Sequence, residues 1–184
     1  MADEPTDAPE EAVPEQDLRS EGPLGPERAY GALVTDSRGQ RVLHPTRETL
    51  VATVTQLQSD GYNQLIDVTA TDYLTHEGSR DLPDGIEPER FEVVIGLISH
   101  GKRERIRLRV QVPADDTRVP SMFDLYPGSE ALEREVYDMF GIEFENHPDL
   151  TRILMPEDWI GYPLRKDYAI GRIPVQFKAA PSTR

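Results

Sequence analysis

The densest polar stretch of the chain is Glu133-Arg134-Glu135-Val136-Tyr137-Asp138, followed closely by His147 and Arg152. On a helix, Glu135 and Asp138 lie three apart and Arg134 and Asp138 four apart, so their side chains are neighbours. Two reactive readings follow from these residue types. Paired carboxylates would divide the roles of acid and base, with His147 assisting. Glu135, Asp138 and His147 would otherwise form an oxygen and nitrogen donor set for a metal. Both need the groups to converge in a pocket, which spacing alone does not supply. The third reading is a structural network of ion pairs and hydrogen bonds, with Arg134 and Arg152 tying the helix to the loop after it. It is preferred, because such networks perturb charges without doing chemistry.

Other candidates are weaker. His44, His76 and His100 stand alone in turn-like contexts without helical ligand spacing, and are expected to be solvated. Arg103, Arg105, Arg107 and Arg109 form a row on one strand face, read as a wet face balanced by acids rather than an anion site. Neither a Gly-rich phosphate loop nor a G-x-S-x-G elbow occurs. Cysteine is absent, which excludes a thiolate nucleophile, a disulfide framework, a zinc ribbon and a cysteine-ligated iron–sulfur cluster. The net charge of −14 argues against nucleic acid as a partner. The profile is that of a subunit rather than a self-contained enzyme, with no catalytic residue expected in the chain.

The elements that position these residues follow from periodicity. Val34 and Val42 with Leu43 flank Ser37-Arg38-Gly39, a hairpin signal. Thr46 is a candidate N-cap, Leu50, Val51, Val54 and Leu57 recur at helical spacing, and Gly61 stops the helix. Residues 65–74 and 91–98 read as strands. Ile106, Leu108, Val110 and Val112 alternate with polar residues in a further strand, joined to the preceding one as an antiparallel hairpin. Residues 113–120 read as a loop, and Ser121 with Asp124 as a capping box for one turn. Ser129 starts a second helix whose stripe is Leu132, Val136, Met139 and Phe140, ended by Gly141. The expected fold class is α+β, a two-layer sandwich of a mixed or antiparallel sheet with two main helices, plus an extended irregular C-terminal arm.

The 184 residues divide into three parts. Residues 1–31 are acidic and proline-rich, and read as a disordered tail. Residues 32–142 form the α+β core. Residues 143–184 are apolar yet carry prolines and no sustained period, so they read as an extended arm laid into grooves of its own domain or a neighbour. Truncation near residue 150 is expected to leave a folded core. The N-terminus is acidic where a signal peptide would be basic, and apolar runs are too short to span a bilayer, so a soluble cytoplasmic protein is expected.

The stretch Glu133-Arg134-Glu135-Val136-Tyr137-Asp138-Met139-Phe140-Gly141-Ile142, with His147-Pro148-Asp149-Leu150 and Arg152-Ile153-Leu154, resembles the signature of the 30 kDa family of respiratory complex I, the C subunit of the NADH–quinone oxidoreductase. Met155-Pro156, Trp159, Gly161 and Pro163-Leu164-Arg165-Lys166-Asp167-Tyr168 resemble its second block. Residues 68–73 and 118–121 also match. Thr151, Tyr162 and Ala169 depart from the pattern. The resemblance implies a cofactor-free structural and assembly subunit of the proton-pumping complex's peripheral arm, supporting electron transfer from NADH to quinone. It implies packing against the D and B subunits, and against the I subunit. FMN and iron–sulfur clusters belong to partner subunits, quinone is met only through them, and membrane contact is indirect, on the cytoplasmic side of the cell membrane. Glu133, Arg134, Glu135, Asp138, His147 and Arg152 are then fold and interface organisers. Trp159, Arg165, Lys166, Asp167 and Tyr168 are interface contacts. The equivalent subunit of a membrane-bound hydrogenase and a stand-alone hydrolase using Glu135, Asp138 and His147 are the rival readings.

Overall fold

Two left-handed turns start the fold. Arg38 and Gly39 (φ 56° and 75°) join β2 (Ala32–Ser37) to β3 (Gln40–His44) as an antiparallel hairpin. Backbone of this kind matches the twist of the flanking strands. Tyr30 and Gly31 do the same between a short β1 (Arg28–Ala29) and β2. The sheet therefore begins inside the stretch assigned to the acidic tail, before residue 32. The cause is local: the Tyr30 hydroxyl donates to Asp60, and its carbonyl accepts from Thr53 Oγ1 at 2.9 Å. The structure is a computed structural model, and it describes residues 27–169.

Helix α1 (Arg47–Ser59) begins at a reciprocal cap. Thr49 N donates to Thr46 Oγ1 at 3.3 Å, and Thr46 N donates to Thr49 Oγ1 at 3.0 Å. Leu50, Val54 and Leu57 are buried as the spacing predicts, but Val51 is 40 % exposed. It sits about 100° round the helix from Leu50 and misses the sheet.

Strands β4 (Gln64–Asp72), β5 (Phe91–Ser99) and β6 (Glu104–Val112) form an antiparallel meander. The six-stranded sheet has the order β1-β2-β3-β6-β5-β4, with β3 parallel to β6 through Val42 opposite Arg107. On one face Val93, Ile95 and Leu97 stand opposite Val110, Leu108 and Ile106, and all six are buried with the helices.

Helix α2 (Glu130–Phe140) ends at Gly141, whose φ of 68° is left-handed. Val136, Met139 and Phe140 are buried as predicted. The loop expected over residues 113–120 is partly strand: β7 (Arg118–Pro120) pairs in parallel with β8 (Glu143–Glu145). A proline is tolerated because it ends an edge strand. Ser121 does not pair with Asp124; its hydroxyl accepts from Phe123 N and donates to Glu133. From Asn146 to Ala169 the described chain has no helix or strand. Ile170, Ile173, Val175 and Phe177, apolar residues of the expected arm, lie outside the described residues, as do residues 1–26.

A Cβ on Gly141 would lie 2.5 Å from the Tyr162 ring and 2.8 Å from Arg165 Nη2, whereas nothing lies within 4 Å of Gly101. Gly141→Ala should therefore destabilise the chain by about 2 kcal/mol or more, combining left-handed strain with the clash. Gly101→Ala should change it by less than about 0.5 kcal/mol. Urea unfolding of the two variants checks this, and matching midpoints would refute it.

Candidate functional site

Helix α2 buries two carboxylates, Glu133 beside its apolar stripe and Asp138 on the side that meets the arm. Asp138 is fully buried. Its Oδ2 accepts three consecutive backbone amides of the arm: Ile153 at 3.1 Å, Leu154 at 2.8 Å and Met155 at 2.8 Å. Its Oδ1 receives Arg152 Nη1 at 2.5 Å. The same guanidinium donates to the carbonyls of Trp159 and Gly161, so it clips two further turns of the arm. Burial pushes the Asp138 carboxyl up, but the Met155 amide, Arg152 and the other amides outweigh it and hold the group below its ordinary 3.8.

Glu133 lies one turn earlier and is also fully buried. It accepts the Ser121 hydroxyl at 2.6 Å and Met122 N at 2.7 Å, fixing the turn after β7. Here burial wins and pushes the carboxyl above 4.5, because hydrogen bonds alone do not repay the lost hydration. His147 Nδ1 accepts from Asp149 N, which leaves Nε2 to donate to the Glu130 carbonyl at 3.1 Å. Arg134 donates to the Thr151 carbonyl and hydroxyl and to the Arg152 carbonyl. Thr151, a departure from the family pattern, thus supplies an acceptor. Glu135 is exposed and makes no hydrogen bond or ion pair among the described residues. Glu135, Asp138 and His147 therefore do not converge: one faces solvent, one faces the arm, and one caps a carbonyl. The acid–base and metal readings lose their geometry. The tie between helix and loop through Arg134 and Arg152 is present.

The arm returns to the sheet at its far edge. Asp72, buried at the end of β4, accepts Lys166 N at 2.8 Å, Leu74 N at 3.0 Å and both Nε and Nη2 of Arg90. Arg90 also pairs with Asp167 at 3.0 Å. Arg165 donates to the Phe140 and Gly141 carbonyls at the end of α2 and lies over the Tyr162 ring. Tyr168 packs against Gly161, and the Trp159 indole nitrogen is buried without a partner among the described residues. Of the residues expected as interface contacts, Arg165, Asp167 and the Lys166 amide thus also make contacts within the chain. Four apolar side chains of the arm face outward, while Phe144, Leu150 and Met155 pack on the core: Ile153, Leu154 and Leu164 are about half exposed, and Ile160 is 89 % exposed.

Sequence reasoning missed a fourth buried carboxylate. Glu92 interrupts the apolar run of β5 and is 2 % exposed. Arg109, Arg80 and Gln111 all donate to it, at 2.6–3.0 Å. A lone charge inside an otherwise apolar strand was the available signal, since burial demands partners. Arg109 is therefore not part of a wet row with Arg103, Arg105 and Arg107. His44 is also not solvated: it is 2 % exposed, bonded to Thr35 Oγ1 at 2.9 Å, and pushed down to about 4 by burial and by the charge of Arg109. Among the described residues, no group of three or more His, Cys, Asp or Glu is placed to hold a metal ion, and no helix is long and apolar enough to cross a membrane.

Comparison with known proteins adds to this geometry. A family model described as "Respiratory-chain NADH dehydrogenase, 30 Kd subunit" matches residues 43–173. The NADH-quinone oxidoreductase subunit 5 of Thermus thermophilus is 41% identical over 167 residues, 88% of this chain and 77% of that protein. The C subunit of the NADH-quinone oxidoreductase of Saccharopolyspora erythraea is 42% identical over 151 residues, 80% of this chain and 56% of that protein. Among solved structures, a trypsin-resistant fragment (1–134) of Nqo5 is 39% identical with a TM-score of 0.58, covering 65% of this chain and 90% of that one. A chain of an archaeal membrane-bound sulfane sulfur reductase shares the fold at 22% identity, with a TM-score of 0.58 over 83% of this chain and 90% of its own.

Asp138→Asn leaves Arg152 without its buried partner and should cost about 3–5 kcal/mol, while Glu135→Gln should stay within about 0.5 kcal/mol, both by chemical denaturation. Asp72, Glu92 and Asp138 are all held low, so the unfolded chain takes up these protons first. Their stabilisation is full above about pH 4.5 and fades as pH falls through their lower folded values. Glu133 has the opposite sign: its folded value is raised, so its contribution is present below 4.5 and is lost as pH rises through that folded value. The stability gap between the wild-type chain and Glu133→Gln should shrink as pH climbs from 4.5 toward neutrality. A constant gap would contradict the assignment.

Proposed function

We propose a function from a premise that the comparisons establish: this chain belongs to the family of respiratory-chain NADH dehydrogenase 30 kDa subunits. As such it is a subunit of an NADH–quinone oxidoreductase. Within that complex it acts as a scaffold of the peripheral arm and holds other subunits in register without reacting itself. Electron transfer from NADH to quinone, coupled to proton pumping, is carried by its neighbours. They include the D subunit at the quinone site and the B subunit with its iron–sulfur cluster, with the I subunit beside them. FMN and the other iron–sulfur clusters also reside in partner subunits. The chain sits on the cytoplasmic side of the membrane, held there by the complex, and meets quinone only through those partners.

The observation that carries this reading is the division of labour in the arm. Its polar atoms are spent inward, on Asp138, Asp72 and the end of α2, while Ile153, Leu154, Ile160 and Leu164 are turned outward. Apolar side chains held outward on a segment tied down by its own polar groups form the kind of surface that adheres to another protein. The motif residues, by contrast, present no free acid, base or nucleophile in a cleft. Ending the chain near residue 150 would remove Arg152 and the three amides together, so it would change Asp138 and its surroundings as well as the outer face of the arm.

The better test therefore keeps the arm and changes only its outer side chains. Leu154→Asp with Ile160→Asp should leave the thermal midpoint of the isolated chain within a few degrees, since neither residue is buried. The same pair should lower recovery of the assembled complex several-fold. Affinity purification of the tagged chain reads both points: it should bring down a flavin- and iron–sulfur-containing, quinone-reducing assembly. Recovery of a lone active monomer, or full recovery of the complex with the doubly charged arm, would sink the scaffold reading.

A further inference from the structure

A cleft of about 530 Å³ opens at one end of the sheet, lined by Gly39, Gln40, Arg41, Arg103, Glu104 and Arg105. It forms because β3 runs parallel to β6, which brings the β2–β3 turn beside the β5–β6 turn. Each turn carries an exposed arginine in left-handed backbone, Arg38 and Arg103, both with φ 56°. Arg105 and Arg107 follow on the outer face of β6, both exposed. Among the described residues, Arg38, Arg103, Arg105 and Arg107 make no ion pair.

The acids nearest the cleft are already engaged. Glu104 accepts the Tyr62 hydroxyl at 2.8 Å, and Asp36 accepts the Gly39 amide at 2.9 Å. Arg41 alone has an ionic partner, and that partner is Glu27, at 3.8 Å. Glu27 is also held by its carbonyl, which accepts Val34 N at 2.8 Å. The described chain therefore enters the fold beside the cleft. The 26 residues before Glu27 carry eight acids and one arginine.

We propose that the acidic segment of residues 1–26 occupies this basic cleft, with its carboxylates on Arg38, Arg103, Arg105 and Arg107, continuing the contact that Glu27 begins on Arg41. Charge complementarity selects this occupant. Tethering favours it further, because a covalently attached segment meets its site at an effective concentration in the mM range. Reach is not limiting: 26 extended residues span up to about 90 Å. The consequence is a self-covered patch. Any anionic surface offered by another molecule must displace the chain's own segment to use these arginines.

The chain contains no cysteine, so Ala8→Cys in the full-length protein gives one site for a nitroxide. At low salt, the amide resonances of Gln40, Arg41, Arg103 and Arg105 should be lost through paramagnetic broadening, while those of Met139 and Phe140 persist. At about 1 M salt, where the screening length is about 3 Å, the lost signals should return. They should also return when Glu10, Glu11, Glu15 and Asp17 are changed to Gln, Gln, Gln and Asn, a variant that leaves residues 27–169 unchanged. Signals at the cleft that persist at low salt would overturn the proposal. So would broadening that survives charge removal, or broadening seen only when the nitroxide is on a second, isotope-unlabelled copy.

Discussion

An extended segment with no ladder of its own must still find partners for its backbone amides, and a carboxylate buried in a helix must still find donors. In this protein each problem is the other's solution. Asp138 is tolerated inside the fold because the arm delivers Arg152 and the amides of Ile153, Leu154 and Met155. The arm has one conformation because Asp138 collects those amides. An unbonded buried amide costs about 1–3 kcal/mol and an unpaired buried charge more, so neither half stands alone. The α2 surface, the course of residues 152–161 and the outward aim of the apolar side chains all depend on that mutual need.

The same physics recurs at the sheet. Asp72 takes Lys166 N and Arg90, and Glu92 takes Arg80, Arg109 and Gln111. Each carboxylate sits where a segment without secondary structure crosses a regular element. The first pins the arm to the edge strand, and the second pins the segment between β4 and β5 across the outer face. Polar side chains act here as fasteners, while the apolar face of the sheet supplies the bulk of the burial. Beside these inward fastenings, the arm presents Ile153, Leu154, Ile160 and Leu164 to solvent, together with the charges of Glu157, Asp158 and Lys166.

Periodicity was enough to find β2 to β6, α1 and α2, because alternation and helical spacing report directly on which face meets the core. The capping Thr46 and the terminating Gly141 were readable for the same reason: their backbone roles are local. What could not be read was pairing across distance. β7 and β8 are three residues each and carry no period. β1 is held by Tyr30, whose partners Asp60 and Thr53 lie far along the chain. The burial of Glu133 and Asp138 was hidden because a helical pattern treats any charge as a mark of the wet face. His44 looked like a turn residue, yet it is the last residue of β3 and lies under the sheet's cover. The motif itself was visible by resemblance, and the tie through Arg134 and Arg152 from residue types and spacing. The direction in which residues 165–168 spend their polar groups was not.

The distances along the chain carry a further meaning. Lys166 reaches Asp72 across 94 residues, and Arg152 reaches back only 14 to Asp138. All six strands of the sheet and both helices lie within residues 28–140, so the strap adds no layer of its own and works as a latch across two of them. One clasp closes a short loop onto α2 and the other a long one onto the edge strand, and a chain without its arm would show the carboxyls of Asp138 and Asp72 to water.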